Sequence, residues 1–305
     1  MLIDITSMNT SANQTFNSNI QHFISKDGTR IGYRTVGHGP AIVLVQGTMN
    51  IGYNFRDLAL ELSDTFTVIV LDRRGRGLSG TEVTDYCLAR EVEDIHALLL
   101  ETGAEFIFGL SSGALITLQS ALQIPTICKI VVYEPPLLTK DLLPEKWIDQ
   151  TNAALDRSDI TGALIAGMKA GQFGPPWMLA LPNWLLKVMF NAQPAPKEEV
   201  HSELEGASMR DLATTLRNDF SIVKELAGSH KDYQRLTIPT LLLGGSETNQ
   251  AYLQNALKEL GKVIPNSTSV KIMGLDHSGP LNRDQMGKPD PSQVAAEIRK
   301  FILFP

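Results

Sequence analysis

Short runs of aliphatic and β-branched residues, separated by stretches of helical spacing, restrict this 305-residue chain to one broad class of fold. The runs fall at Ile20 to Ile24, Ile31 to Thr35, Ala41 to Val45, Thr67 to Leu71, Phe106 to Leu110, Ile130 to Tyr133, Thr240 to Leu243 and Val270 to Met273. The first two, joined by Lys26-Asp27-Gly28, read as a hairpin. The later ones are near-continuous instead of alternating, as strands buried on both faces are. Helical spacing follows at Arg90 to Glu101, Gly113 to Leu122, Tyr252 to Leu260 and Gln293 to Leu303. Such alternation predicts an α/β fold with a mostly parallel, eight-stranded sheet covered by helices on both faces.

Two segments break the rhythm. Residues 1–19 are rich in Asn, Ser and Thr and lack the basic and apolar regions of a secretory signal, so a disordered leader is expected. Residues 137–234 show no strand pattern, only helical patterns around Trp147 to Leu155, Ile160 to Met168, Trp184 to Phe190 and Leu212 to Leu226. A helical lid over 137–234, inserted into a core of 20–136 and 235–305, is the expected organisation. Phe173, Trp177, Met178, Trp184 and Met189 give the insertion an apolar character, and two readings stand side by side. They pack the insertion onto the core, or Trp177, Met178, Trp184 and Met189 line a substrate pocket.

Composition excludes several functions. Asp plus Glu outnumbers Lys plus Arg by 33 to 27, for a net charge of −6, which argues against a nucleic-acid binder. The two cysteines, Cys87 and Cys128, cannot supply a disulfide framework or a cysteine-rich zinc site. The longest apolar stretch, Ile107 to Leu122, is broken by Gly, Ser and Gln, so no membrane span is expected. The default location is the cytoplasm, and a homodimer is left open.

Gly109-Leu-Ser111-Ser-Gly113 matches G-x-S-x-G, a weak signal by itself. Its setting strengthens it, because a strand pattern runs into it and a helix pattern leaves it. A serine at such a turn is exposed at the strand end, and the helix N-terminus directs N–H groups and a positive dipole end toward a reacting atom. Ser111 is the candidate nucleophile and the Ser112 N–H a candidate oxyanion donor; a plain helix cap is the alternative. Of six histidines (His22, His38, His96, His201, His230 and His277), only His277 follows a late strand, where parallel sheets place catalysts. It is the candidate base. Two carboxylates compete to orient it. Glu134 ends an apolar strand and precedes two prolines, as a buried acid would; Glu247 lies in the polar run Ser-Glu-Thr-Asn-Gln. No H-E-x-x-H spacing occurs, so no metal is expected. Gly75-Arg-Gly-Leu-Ser-Gly80 fits G-x-G-x-x-G, but no helix opens at its third glycine, which argues against a dinucleotide site.

With these residues in view the chain resembles the α/β-hydrolase superfamily of serine hydrolases. The resemblance covers about Ile20 to Pro136 and Thr237 onward. It rests on the Ser111 elbow, the Gly274-x-x-His277 ending, and Asp72-Arg-Arg-Gly-Arg-Gly-Leu-Ser79, which is similar to the family's D-x-R-G-x-G-x-S turn. G-x-S-S-G-A with a Glu after the next strand is similar to the subset that includes zearalenone-type lactone hydrolases. That likeness favours Glu134 as the acid, with Glu247 the alternative. One departure is Gln46 where the family has His before Gly; Gly47 is kept, and the Thr48 N–H is implied as the second oxyanion donor. Gln46 also joins the candidate substrate-binding set. The resemblance implies hydrolysis of a small hydrophobic ester or lactone through an acyl-enzyme, without a cofactor. Other chemistry on the same triad (C–C hydrolysis, acyl transfer, perhydrolysis) and a non-catalytic ligand-binding role are the alternatives.

Overall fold

The near-continuous runs are buried on both sides of one sheet. In the third strand Val43 and Val45 enter one apolar cluster, while Ile42 and Leu44 enter another on the opposite face. Period-2 side-chain direction thus feeds two cores, and both sets must be apolar. Burying each such side chain contributes roughly 1.5–3 kcal/mol.

The computed structural model describes residues 13–80, 85–192 and 207–304. Its eight strands are β1 (Ile20–Ile24), β2 (Arg30–Gly37), β3 (Ala41–Val45), β4 (Thr67–Leu71), β5 (Phe106–Leu110), β6 (Lys129–Tyr133), β7 (Thr240–Gly245) and β8 (Ser267–Ile272). They lie in the order β1-β2-β4-β3-β5-β6-β7-β8. β1 with β2 and β2 with β4 pair antiparallel, and all later pairs are parallel. Helices α1 (residues 13–17), α2 (Arg56–Leu62), α3 (Leu88–Thr102), α4 (Ser112–Gln123), α11 (Ala251–Val263) and α12 (Pro291–Leu303) accompany the sheet. Between β6 and β7 stand α5 (Glu145–Asp156), α6 (Ile160–Ala170), α7 (Pro176–Leu179), α8 (Asn183–Ala192), α9 (Met209–Thr214) and α10 (Leu216–Glu225). This is an α/β-hydrolase fold: the parallel strands bring the loops after β3, β5, β6, β7 and β8 to one edge.

Two expectations need correction. The leader is not disordered where it is described: 13–17 form a helical turn and Phe16 is fully buried with Phe55 and Leu58. A single aromatic side chain anchors the segment, helped by Asn17 and Asn13, which accept from Arg34 and Arg56. Composition averages hid that one anchor. β8 begins at Ser267, earlier than its apolar run suggests, because an edge strand exposes much of its surface and tolerates Ser and Thr there. The expected leader's residues 1–12 and the insertion's residues 193–206 lie outside the described residues. Among the described residues no helix is long and apolar enough to cross a membrane.

Helix α4 presses on the sheet through two glycines. A Cβ at Gly109 would lie 2.3 Å from the Thr117 hydroxyl, and one at Gly113 would lie 2.3 Å from the Val45 carbonyl oxygen. Backbone cannot yield as a flexible side chain can. Gly113→Ala should therefore cost about 1–3 kcal/mol of stability, read from urea unfolding. An unchanged midpoint would show that β3 and α4 separate freely.

Candidate active site

The elbow forms because β5 ends in a residue forced out of the strand region. The Ser111 N–H still donates to the Tyr133 carbonyl (2.9 Å), so the ladder holds it up to the turn. Its backbone then adopts φ 54°, ψ −122°, and α4 starts at Ser112. Such a conformation costs a non-glycine residue on the order of 1–3 kcal/mol. The surrounding glycines make it feasible: a Cβ at Gly47 would stand 2.9 Å from the Ser111 Cβ, so the β3 loop approaches Ser111 only as glycine. Ser111 is nearly buried, at 7% exposure.

β6 repeats the device beside it. The Glu134 N–H donates to the Leu243 carbonyl (3.1 Å), and Glu134 then takes φ 48°. Its carboxylate is fully buried and satisfied at both oxygens. Oε1 accepts from the Gly245 N–H (2.8 Å) and the Thr248 hydroxyl (2.6 Å), and Oε2 lies 2.7 Å from His277 Nδ1. A carboxylate only accepts, so His277 Nδ1 donates, and in a neutral imidazole Nε2 is then the nitrogen that carries the lone pair. Asp276 faces elsewhere and accepts from the Ser278 and Lys288 N–H groups. The Tyr133 hydroxyl donates to the Asp276 carbonyl (2.7 Å), tying the histidine loop to β6.

Of the two competing acids, Glu134 alone contacts His277. Glu247 is half exposed and pairs with Lys288 at 3.0 Å. Phe173 packs its ring at 5.8 Å from the His277 ring, so one aromatic of the β6–β7 segment reaches the site. Phe173 was not among the expected pocket residues, and those that were sit differently. Trp177 and Trp184 are 63% and 68% exposed, and Met189 is 38% exposed. Trp184 borders a separate cavity of about 460 Å³ with Gln150, Asp159 and Lys187. Met178 packs toward Gly174, next to Phe173. Gln46 is fully buried, and its carboxamide has no partner among the described residues.

A charged cluster lies behind the elbow that the sequence reading missed. Arg73, Arg76, Glu91 and Asp219 are each at most 2% exposed. Asp219 Oδ1 accepts from Arg73 (2.9 Å) and from the Ser112 hydroxyl (2.9 Å), and Oδ2 accepts from Arg76 (2.8 Å). Arg73 also donates to Glu91 (2.8 Å). Burial pushes the Asp219 carboxyl up, but Arg76 and Arg73 outweigh it and hold it below its ordinary value. The arginines' sequence signal was the Arg-rich turn after β4; Asp219, on an amphipathic helix, gave none. In that turn Asp72 accepts from Arg34 (2.9 Å) and the Leu78 N–H (3.0 Å), so a carboxylate already occupies the loop that resembles a phosphate cradle. Among the described residues no group of three or more His, Cys, Asp or Glu side chains gathers as metal ligands would.

Comparison with known proteins places the chain. A family model described as "Alpha/beta hydrolase family" matches residues 42–295. The 2-(acetamidomethylene)succinate hydrolase of Mesorhizobium japonicum is 27% identical over 267 residues, 84% of this chain and 89% of that protein. A Bacillus subtilis protein, the uncharacterized hydrolase YraK, is 31% identical over 115 residues, which span 36% of this chain and only 42% of that protein. The crystal structure of an alpha/beta hydrolase from Sphaerobacter thermophilus superposes with a TM-score of 0.72 at 28% identity, covering 92% of this chain and 99% of that one. With the family model matching most of its length, the chain belongs to the alpha/beta hydrolase family.

Proposed function

We propose that the chain is a serine hydrolase that cleaves a hydrophobic carboxylic ester or lactone. The observation that carries this reading is the 2.7 Å contact of buried Glu134 with His277 Nδ1, at the sheet edge where Ser111 turns out of β5. It orients the imidazole with Nε2 free to take a proton. Ser111 Oγ then bonds to the acyl carbon while His277 takes the hydroxyl proton. The tetrahedral oxyanion is held by the Ser112 and Thr48 N–H groups. It collapses, and the alkoxide leaves with the proton from His277. Water activated by His277 hydrolyses the acyl-enzyme and restores Ser111. In this reading the helices between β6 and β7 serve as the lid, with Phe173 excluding water from the imidazole. No cofactor takes part.

The relative named for 2-(acetamidomethylene)succinate supports a second reading, an acetamido substrate cleaved by the same residues. The purified full-length protein tests both against short-chain chromogenic esters, lactones and N-substituted acetamides. Fluorophosphonate labelling, mapped by peptide mass, should fall on Ser111. Turnover of esters or lactones supports the first reading, and turnover of acetamides alone supports the second. Neither labelling nor turnover would remove the enzyme reading altogether.

A further inference from the structure

The cluster around Asp219 is wired to the candidate oxyanion donors. Arg76 Nη1 donates to the Gly47 carbonyl (2.9 Å) and, at longer range, to the Asn50 carbonyl (3.4 Å). The Gly47 carbonyl and the Thr48 N–H belong to one planar trans peptide, so they point in opposite directions. A guanidinium that grips the carbonyl from behind aims the N–H forward. It also polarises the peptide, which makes the N–H a stronger donor. Were this peptide to rotate, its carbonyl oxygen would face the developing oxyanion and repel it. Arg73 treats the preceding peptide similarly, through the Gln46 carbonyl (3.4 Å).

Both arginines are themselves held by Asp219. The same carboxylate accepts from the Ser112 hydroxyl, and the Thr48 hydroxyl donates to Ser112 Oγ (3.2 Å). Asp219 therefore touches the Ser112 side chain directly and, through Arg76, the carbonyl end of the peptide that carries the Thr48 N–H. Two cations, Arg73 and Arg76, face two carboxylates, Asp219 and Glu91, so the cluster presents no net charge to the substrate. Asp219 lies on α10, in the segment between β6 and β7, where it packs on α3 and α4.

We propose that Asp219 and Arg76 are positioning residues that assemble the oxyanion pocket: α10 delivers a buried carboxylate that fixes Arg76, and Arg76 fixes the peptide carrying the Thr48 N–H. The inference rests on Ser111 being the nucleophile. It makes an intact pocket depend on the seating of α10.

The test measures the rate of Ser111 phosphonylation by a fluorophosphonate, and inhibition by an alkyl trifluoromethyl ketone, whose adduct with Ser111 carries an oxyanion. The full-length wild type is compared with Ser111→Ala, Arg76→Lys, Arg76→Gln, Asp219→Asn and the Arg76→Gln/Asp219→Asn double variant. Loss of one oxyanion donor typically costs about 10²–10³ in rate. Arg76→Gln and Asp219→Asn should label roughly a hundredfold more slowly. The ketone should weaken in proportion, and KM for any turned-over substrate should stay within about threefold, since ground-state binding does not use the oxyanion pocket. The double variant should be no slower than the slower single one, because both act through one peptide. Arg76→Lys keeps a cation beside Asp219 and so preserves the fold, but an ammonium lacks the planar fork that reaches both Asp219 and the Gly47 carbonyl. It should lose about tenfold in labelling rate without a large fall in melting temperature. Folded variants that label at the wild-type rate would overturn the proposal, as would additive losses in the double variant. A wild type that does not label at Ser111 would instead overturn the proposed function on which the inference stands.

Discussion

Ser111→Ala should lower kcat by about 10⁶-fold while leaving KM and the melting temperature close to wild type. Alanine retains the Cβ, so it bears the same cost at φ 54° as serine does, and the elbow keeps its shape. What disappears is the one atom that would bond to the acyl carbon. The Ser112 and Thr48 N–H groups would remain, so a residual acceleration over water of about 10³–10⁴ is expected. Steady-state kinetics with enzyme purified free of host esterases checks the figure. Turnover within tenfold of wild type would mean that another group performs the attack.

Glu134→Gln should reduce kcat by about 10⁴-fold, and the hydrogen bonds around it say why. The Oε1 position accepts from two donors, the Gly245 N–H and the Thr248 hydroxyl. In the glutamine variant only the carbonyl oxygen can satisfy both, so the NH₂ group is turned toward His277. An NH₂ group donates; it therefore makes Nδ1 the acceptor and puts the ring proton on Nε2. Ser111 then has no base, although every heavy atom is in place. Glu247→Gln should leave kcat within about threefold, because an exposed carboxylate paired with Lys288 contributes little. The reverse ranking, measured on the same substrate, would move the acid from β6 to β7.

A feature was legible in the sequence where it was local. The Ser111 elbow was legible because its glycines, strand and helix are neighbours in the chain. His277 was legible because few histidines follow a late strand. The acid was not settled by residues alone, since Glu134 and Glu247 both end strands that adjoin in the sheet. The likeness to a family subset favoured Glu134, and it is Glu134, not Glu247, that lies against His277. Trp177 and Trp184 are largely exposed, whereas Phe173 reaches His277. A helical pattern reports that a face is apolar, but not which face meets which neighbour.

By itself the sequence determined the alternation of strands and helices, the two-sided burial of the central strands, and a serine and a histidine at one edge of the sheet. Those follow from local burial, backbone preference and chain order. Only the tertiary structure decided that Glu134 holds His277 and that Arg76 meets Asp219, two contacts that each join residues 143 positions apart. A charged side chain at a helical position reads the same whether it faces water or a buried partner. The difference arises only when folding removes the water and brings the opposite charge within hydrogen-bonding distance.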